Sequence, residues 1–335
     1  MKIGRVLGGV VVVLVILPVA AAVATARLRQ HDPVPPSAQQ ANRVSATSSA
    51  CAKPAPSRWP LIGVAPPTPW ARNLHSFVHA TSVHPQLVAQ YLQFGESYNP
   101  AEACIAARSG GKLLIQWDPY DPKDPKRISL QQIADGRWDK YVTRFARAVR
   151  AAGVPIVLSF GHEMNGSWYK WGYTNVKPTT FIAAWRRLHR LFTKAGASNV
   201  MWCWDVNHWI PALAGIAPNY NVSPPRWWWP GGQYVNWVGM DAYYETPTST
   251  FHSLFAGSLK ALRKLTHKPV LIGETAVAAG PQQVGQIRTL FSGMRRTHLI
   301  GAVWFDENDR EAWRLEGHPA AIAAFQAGYR SLHHS

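Results

Sequence analysis

The apolar positions of this chain fall into short uniform runs separated by amphipathic stretches. Runs at Leu61–Ala65, Leu87–Phe94, Lys112–Trp117, Pro155–Phe160, Asn199–Trp204, Val235–Met240, Pro269–Gly273 and Leu299–Phe305 lack the alternation of a half-exposed strand, and predict eight strands buried on both faces. Between them, apolar residues recur at helical spacing over Asn73–Ser82, Pro100–Arg108 behind an Asn99 cap, Trp138–Ala152, Phe181–Lys194, Phe251–Leu265 and Gln283–Arg296. Strand and helix therefore alternate. Eight repeats in about 275 residues match the usual size of a (β/α)8 barrel, and no glycine-rich phosphate loop follows the first strand as an open doubly wound sheet would favour. The expected fold is a single α/β domain, a (β/α)8 barrel, over residues 58–335.

Ahead of that domain the pattern changes twice. Residues 1–26 carry a basic head, Lys2 and Arg5, then an uncharged run from Val6 to Ala26 with Ala22-Val23-Ala24 placed like a signal-peptidase site. The run is also about 20 residues, enough to span a bilayer, and Arg27 and Arg29 follow it, so either a signal peptide or an uncleaved N-terminal membrane anchor is expected. Residues 27–57, rich in Pro, Ala, Ser and Gln, cannot bury enough apolar surface to fold and read as a linker. The domain is thus expected outside the cytoplasmic membrane, extracellular or in the cell envelope.

Composition adds a large core and a strong charge. The chain has 335 residues, 47% hydrophobic, and a formal charge of +17, of which +12 remains on the body. Lys140, Arg144 and Arg147 lie opposite Trp138, Tyr141, Val142, Phe145 and Val149 on the helical pattern, and Arg187, Arg190 and Lys194 repeat the arrangement. Solvated outer faces account for such stripes, and attraction to anionic envelope material is the functional alternative. Nucleic acid is disfavoured, because export removes the chain from it and no recognition-helix or zinc-finger spacing occurs. Cys51, Cys104 and Cys203 have no metal-ligand spacing; Cys203 reads as a small buried side chain, and a Cys51–Cys104 bridge is permitted in an oxidising compartment. No metal or organic cofactor is expected, and the chain is expected to act as a monomer.

The candidate chemistry sits where the strands end. The predicted strands run out into Glu96, Asp118, Glu163, Asp205 with Asn207, Asp241 with Tyr243, Glu274 and Asp306, which a barrel would gather around one mouth. Within "HEMNG" a zinc protease would need a second histidine where Gly166 stands, and no G-x-S-x-G elbow occurs for a serine nucleophile. Paired carboxylates remain. Glu163 and Glu274 end the fourth and seventh strands, and cleavage of a glycosidic bond needs one carboxyl that holds a proton and one that stays ionised. Asn165 and Gly166 suit a turn aiming Glu163 inward, Trp168, Tyr169 and Trp171 offer flat faces for sugar rings, and at least one tryptophan of the run Arg226 to Pro230 is expected to face the cleft or a partner.

These residues carry a resemblance. "FGHEMNGSWYKWG" resembles the fourth-strand motif of glycoside hydrolase family 26, "VLIGETA" resembles its seventh-strand nucleophile motif, and "VMWCWDVN" and "VGMDAYY" are similar to its fifth and sixth strand ends. The resemblance, spanning about Trp59 to Leu332, implies a (β/α)8 barrel that cleaves β-linked polysaccharide with retention, most often β-1,4-mannan. It implies Glu163 as acid/base and Glu274 as nucleophile, with Tyr243 hydrogen-bonding the nucleophile, His162 lining the cleavage subsite and Trp304 forming the sugar platform. Asn207, Asp118 and Glu96 complete the candidate substrate contacts. At the third strand, "IQWDPYD" offers Gln116, Trp117 and Asp118 and no histidine of the kind mannanases use to hold the sugar. The expected protein is an exported or tethered endo-acting retaining hydrolase of β-linked polysaccharide. Mannan is the first substrate, with β-glucan or an acidic exopolysaccharide as alternatives, and a polysaccharide-binding protein without hydrolysis as the rival from another class. Keeping both glutamates and Tyr243 argues against that rival, since a binding module has no use for a proton donor facing a nucleophile.

Overall fold

The computed structural model describes Cys51 and residues 59–124, 126–210 and 221–333. The predicted signal or anchor and, Cys51 apart, the predicted linker lie outside the described residues. Among the described residues no helix is long and apolar enough to cross a membrane.

Eight parallel strands, β1 (Leu61–Ala65), β2 (Leu87–Gln93), β3 (Lys112–Asp118), β4 (Ile156–Phe160), β5 (Val200–Asn207), β6 (Trp237–Asp241), β7 (Val270–Thr275) and β8 (Gly301–Phe305), close in sequence order into a barrel. The closure is β1 on β8, from Leu61 opposite Gly301 to Ala65 opposite Phe305. Outside lie α1 (Trp70–Thr81), α2 (Pro100–Arg108), α3 (Leu130–Ala134), α4 (Asp139–Ala152), α5 (Pro178–Ala195), α6 (Phe251–Leu265), α7 (Gln283–Arg296) and α8 (Pro319–His333). The Asn99 cap is present, its side chain accepting from the Ala101 amide at 3.1 Å. Two helices went unpredicted for different reasons. α3 is too short to show a period, and α8, "PAAIAAFQAGYRSLH", is so rich in alanine that its two faces barely differ.

The uniform apolar runs are explained by two cores. Leu61, Leu87, Leu114, Val157, Leu271 and Val303 fill the barrel interior together with Cys203, the small buried thiol predicted there. Alternate strand residues point outward into a larger layer against the helices, where Trp117 stacks on Phe145 with ring centroids 4.6 Å apart. Cys51 and Cys104 form a disulfide, with Cα atoms 5.2 Å apart, that pins residue 51 to α2. In the predicted basic stripes, Arg187 is not a free cation: it holds both Asp139 carboxylate oxygens at 2.6 Å and ties α5 to α4.

One irregularity positions the site. Met240 pairs with Ile272 but Asp241 with Glu274, and on the other side Ile272 pairs with Ala302 but Thr275 with Trp304, so β7 carries one residue more than either neighbour. Such a bulge re-aims the side chains next to it. It falls at Gly273, where any Cβ would sit inside contact distance of the Asp205 carboxyl, as it would at Gly239 on β6. Only glycine lets β6 and β7 close around that buried acid.

Candidate active site

Glu163 follows β4 in a backbone conformation that L-residues seldom adopt. Its φ is 52°, after Gly161 at 57°. The turn is held by the Glu163 amide donating to the Asp205 carbonyl at 3.0 Å and by the Gly166 amide donating to the Glu163 carbonyl at 2.8 Å. Asn165 locks it further, accepting from the Asn207 amide at 2.8 Å and donating to the Asn207 carbonyl at 2.9 Å. The strained turn therefore aims the carboxylate inward, where it is 6% exposed. Asn207 Nδ2 donates to Oε1 at 2.6 Å and the Trp168 indole to Oε2 at 2.7 Å. Gly166 makes room for that indole, since any Cβ there would collide with the Trp168 ring.

Burial, and then the charge of Glu274, raise the Glu163 pKa, while His162, Asn207 and Trp168 pull it down. Replacing Trp168 by Phe keeps the ring and removes one donor to the ionised form. The alkaline limb of kcat/KM in Trp168→Phe should therefore move to higher pH, with kcat reduced; an unmoved limb would mean that the indole does not tune this group.

Glu274 at the bulge of β7 receives a different set of partners. Tyr243 donates to Oε2 at 2.6 Å, Tyr91 donates to Oε1 at 2.7 Å, and Gln116 Nε2 lies 3.3 Å from Oε1 and 3.3 Å from Asp205 Oδ2. All three present donors to its carboxyl oxygens. Glu163 and Glu274 thus face one mouth with unlike surroundings: one is electrostatically pressed toward holding a proton, the other is clamped as an acceptor.

His162 stands beside them, 1% exposed. Its Nδ1 is 3.1 Å from Asp118 Oδ1, an ion pair short of a well-aligned hydrogen bond, and its Nε2 is 3.1 Å from the Tyr169 hydroxyl. Burial alone would lower its pKa, but Asp118 and then Glu274 and Glu163 raise it to about 10, so it is an imidazolium. Trp171 stacks on Tyr169 at 4.3 Å and donates its indole N–H to the His162 carbonyl at 2.8 Å.

Three further buried acids are pushed toward the protonated form. Burial, followed by Glu274, raises Asp205 to about 7; burial, followed by Asp205, raises Asp241 well above the usual range; and burial, followed by Glu316, raises Asp306 to about 8. The folded chain therefore binds protons that the unfolded chain, with aspartates near 4, has released, and stability must fall as pH rises from about 4 to about 8. His162 acts in the same direction, its contribution complete below about 6.5 and lost as the pH passes through about 10. The thermal midpoint should decline between about pH 5 and pH 8, and Asp306→Asn, which keeps the acceptor for the Leu315 amide, should flatten that decline. A level wild-type profile would count against these protonation states.

Several predicted site residues are brought together: Glu163 with its donors Asn207 and Trp168, Glu274 with its donor Tyr243, and the His162–Asp118 ion pair coupled to both glutamates by charge. Others are not. Trp304 is 2% exposed, donates to the Trp313 carbonyl and packs on Phe325 of α8, so it faces the helix layer and cannot be a sugar platform. Strand alternation is the reason, and the neighbouring Phe305 faces the mouth, 5.8 Å from the Tyr243 ring. Trp171, 3% exposed, supports His162 from behind and offers no free face. Glu96 is exposed and accepts from the Gln93 amide at 3.0 Å within its own turn, apart from the two glutamates. Of the tryptophan run, Trp228 is fully buried and Trp227 is 50% exposed, on the loop joined through Ser223 to Asn165. Tyr91 was missed, since its strand ends in an unremarkable "QYLQ"; only the register that sets it beside Glu274 reveals it. Among the described residues no cluster suited to a metal ion occurs.

The chain is similar to known proteins in sequence and in fold. Residues 131–280 match the sequence profile of glycosyl hydrolase family 26. The chain is 32% identical over 232 residues, 65% of its length, to endoglucanase H of Acetivibrio thermocellus, and 29% identical over 129 residues, 36% of its length, to a mannan endo-1,4-beta-mannosidase of Bacillus subtilis. It spans 24% and 30% of the lengths of those two relatives. Among solved structures, a family 26 beta-mannanase of Bacteroides ovatus aligns with TM-score 0.59 and 16% identity over 82% of this chain and 89% of that one. An endo-beta-1,4-mannanase of Cellulomonas fimi aligns with TM-score 0.61 and 16% identity over 81% and 70%. At such identities the structures share the fold.

Proposed function

We propose, taking as premise that the chain belongs to glycoside hydrolase family 26, that it is an endo-acting glycoside hydrolase that cleaves β-linked polysaccharide with retention of configuration. The observation that carries this is the unlike pair of carboxyls in one mouth. Glu163, its pKa raised by burial and by Glu274, protonates the leaving oxygen, and Glu274, held by Tyr243, Tyr91 and Gln116, attacks the anomeric carbon. When the glycosyl–enzyme bond has formed, Glu274 no longer carries the charge that raised the Glu163 pKa. Glu163 then works as the base that draws a proton from water. His162 as an imidazolium and Asn207 hold the polar groups around the cleaved bond, and Trp227, with half its surface free, takes the place of Trp304 as the candidate sugar platform.

β-1,4-Mannan is the first substrate, after the relatives named as mannosidases. A β-glucan is the second, favoured by two observations: the relative matched over the longest stretch of the six is named an endoglucanase, and β3 brings Gln116, not a histidine, to the nucleophile. Product release from mannan, glucomannan, mixed-linkage glucan, xylan and acidic polysaccharides, with the anomeric configuration followed by proton NMR at early times, tests the reading. Retained β-products from one of these polymers support it; inverted products, or no release from any, would sink it. The protein acts outside the cytoplasmic membrane, held by its first segment or released from it, and recovery of the full-length chain in soluble cytoplasm on fractionation would refute that location.

A further inference from the structure

Acidic charge in this barrel is confined to one end of its axis. Every aspartate and glutamate after Asp32 lies in a strand's carboxyl-terminal half, in the first turn of a helix, or in the segment between a strand and the long helix that follows it, where Asp135 caps the end of the short α3. None lies in a loop that runs from a helix into a strand. At that opposite end, α2, α4, α5, α6, α7 and α8 each have at least one arginine or lysine in the last turn, two each on α6 and α7. Arg150 and Arg263 are used locally, donating to the carbonyls of Ala195 and Thr297 at neighbouring helix ends. Lys194, Lys264, Arg295 and Arg296 are exposed, and none reaches a carboxylate among the described residues. The partial negative charge of a helix C-terminus accounts for one cation per helix. It accounts neither for the doubled cations of α6 and α7 nor for connecting loops free of any acid.

Two further features share this end. Trp59, just before β1, is 52% exposed, and its ring meets the edge of Trp237, the first residue of β6, at 5.8 Å. Because β7 and β8 separate β1 from β6, that contact carries the indole across the floor of the barrel, inside the ring of cations. Along α6, from Phe251 and His252 at its start to Lys264 near its end, and against the last turn of α7, runs a groove of about 540 Å³ whose lining at the far end carries Lys260, Arg263, Lys264 and Arg296. It has room for a phosphate-bearing headgroup.

We propose that the end of the barrel opposite the catalytic mouth is a docking face for an anionic phospholipid surface, with Trp59 entering the headgroup region and the cations of α6 and α7 holding phosphates. The layout selects this partner. Cations spread around a flat rim match an extended planar anion, whereas an acidic polysaccharide would need a track one chain wide; an exposed indole amid cations is the pairing found at membrane interfaces. Docked this way, the barrel presents Glu163 and Glu274 away from the bilayer, toward polymer.

The test is partition of the full-length chain onto phosphatidylcholine vesicles with and without phosphatidylglycerol, the apolar first segment being common to both. Phosphatidylglycerol should strengthen binding, and about 1 M salt should remove that gain. The variant Lys264→Glu, Arg295→Glu, Arg296→Glu should lose the phosphatidylglycerol-dependent gain by about tenfold or more with circular dichroism unchanged. A variant of equal net charge altered at the mouth end, Lys123→Glu, Lys126→Glu, Lys177→Glu, should keep it. Equal loss in both variants, no dependence on phosphatidylglycerol, or tighter binding to polygalacturonate than to the vesicles would overturn the proposal. Hydrolysis is not read in any of these measurements, so the enzymatic reading stands or falls separately.

Discussion

Glu274→Ala should lose turnover on every substrate by about 10⁴-fold or more, equivalent to at least ~5 kcal/mol of transition-state stabilisation, while the chain stays folded. No other group can replace it. The bulge of β7 places this one carboxylate between Tyr243, Tyr91 and Gln116, and the remaining acids nearby, Asp205 and Asp241, are pushed by burial toward the protonated, non-nucleophilic form. Removing the side chain also relieves repulsion in a crowded set of carboxyls, so the thermal midpoint should hold or rise. Residual activity within a factor of about 100 of wild type would assign the nucleophile elsewhere.

Glu163→Ala should behave differently, because its two tasks fall in different steps. Loss of the general acid should cost about 10²- to 10⁴-fold on polysaccharide, yet an aryl glycoside whose phenolate leaves without a proton should still form the covalent intermediate. That intermediate should then accumulate as a burst of phenolate, for want of a base to activate water. Azide, which needs no base, should restore turnover and yield a β-glycosyl azide. The alkaline limb of the wild-type kcat/KM profile, which reports the proton held by Glu163 in the free enzyme, should be absent from the variant on such a substrate. An α-configured azide product, or rescue without any burst, would point to inversion, in which carboxyls about 6.5 to 9.5 Å apart admit a water between them.

Much of this molecule follows from local pattern. The eight runs were legible because a barrel strand is apolar on both faces, and the carboxyls at their ends because side chains beyond a buried strand have little reason to be charged unless they are used. "HEMNGSWYKWG" was informative for a local reason: Gly161, Asn165 and Gly166 are the residues that permit the left-handed turn at Glu163 and the close approach of Trp168. The side of the barrel each aromatic ring faces was not legible in the same way. Trp304 and Phe305 are equally apolar neighbours, and only the closure of β8 on β1 and β7 decides that the first meets α8 and the second the mouth.

The remaining decisions belong to the tertiary structure. Tyr91 donates to a carboxylate 183 positions away, and Gln116 touches acids on β5 and β7. No short-range pattern encodes such pairings, because they depend on which strand neighbours which and in what register. The glycines of β6 and β7 read alone as mere weak points in strands; their purpose exists only once Asp205 lies against both. Sequence by itself determined the layered architecture and singled out the two glutamates at strand ends, because burial period and turn chemistry act over a few residues. Strand register and barrel closure decided the hydrogen-bond partners around them and the gathering of the acids at one end, because those arise only between residues brought together in space.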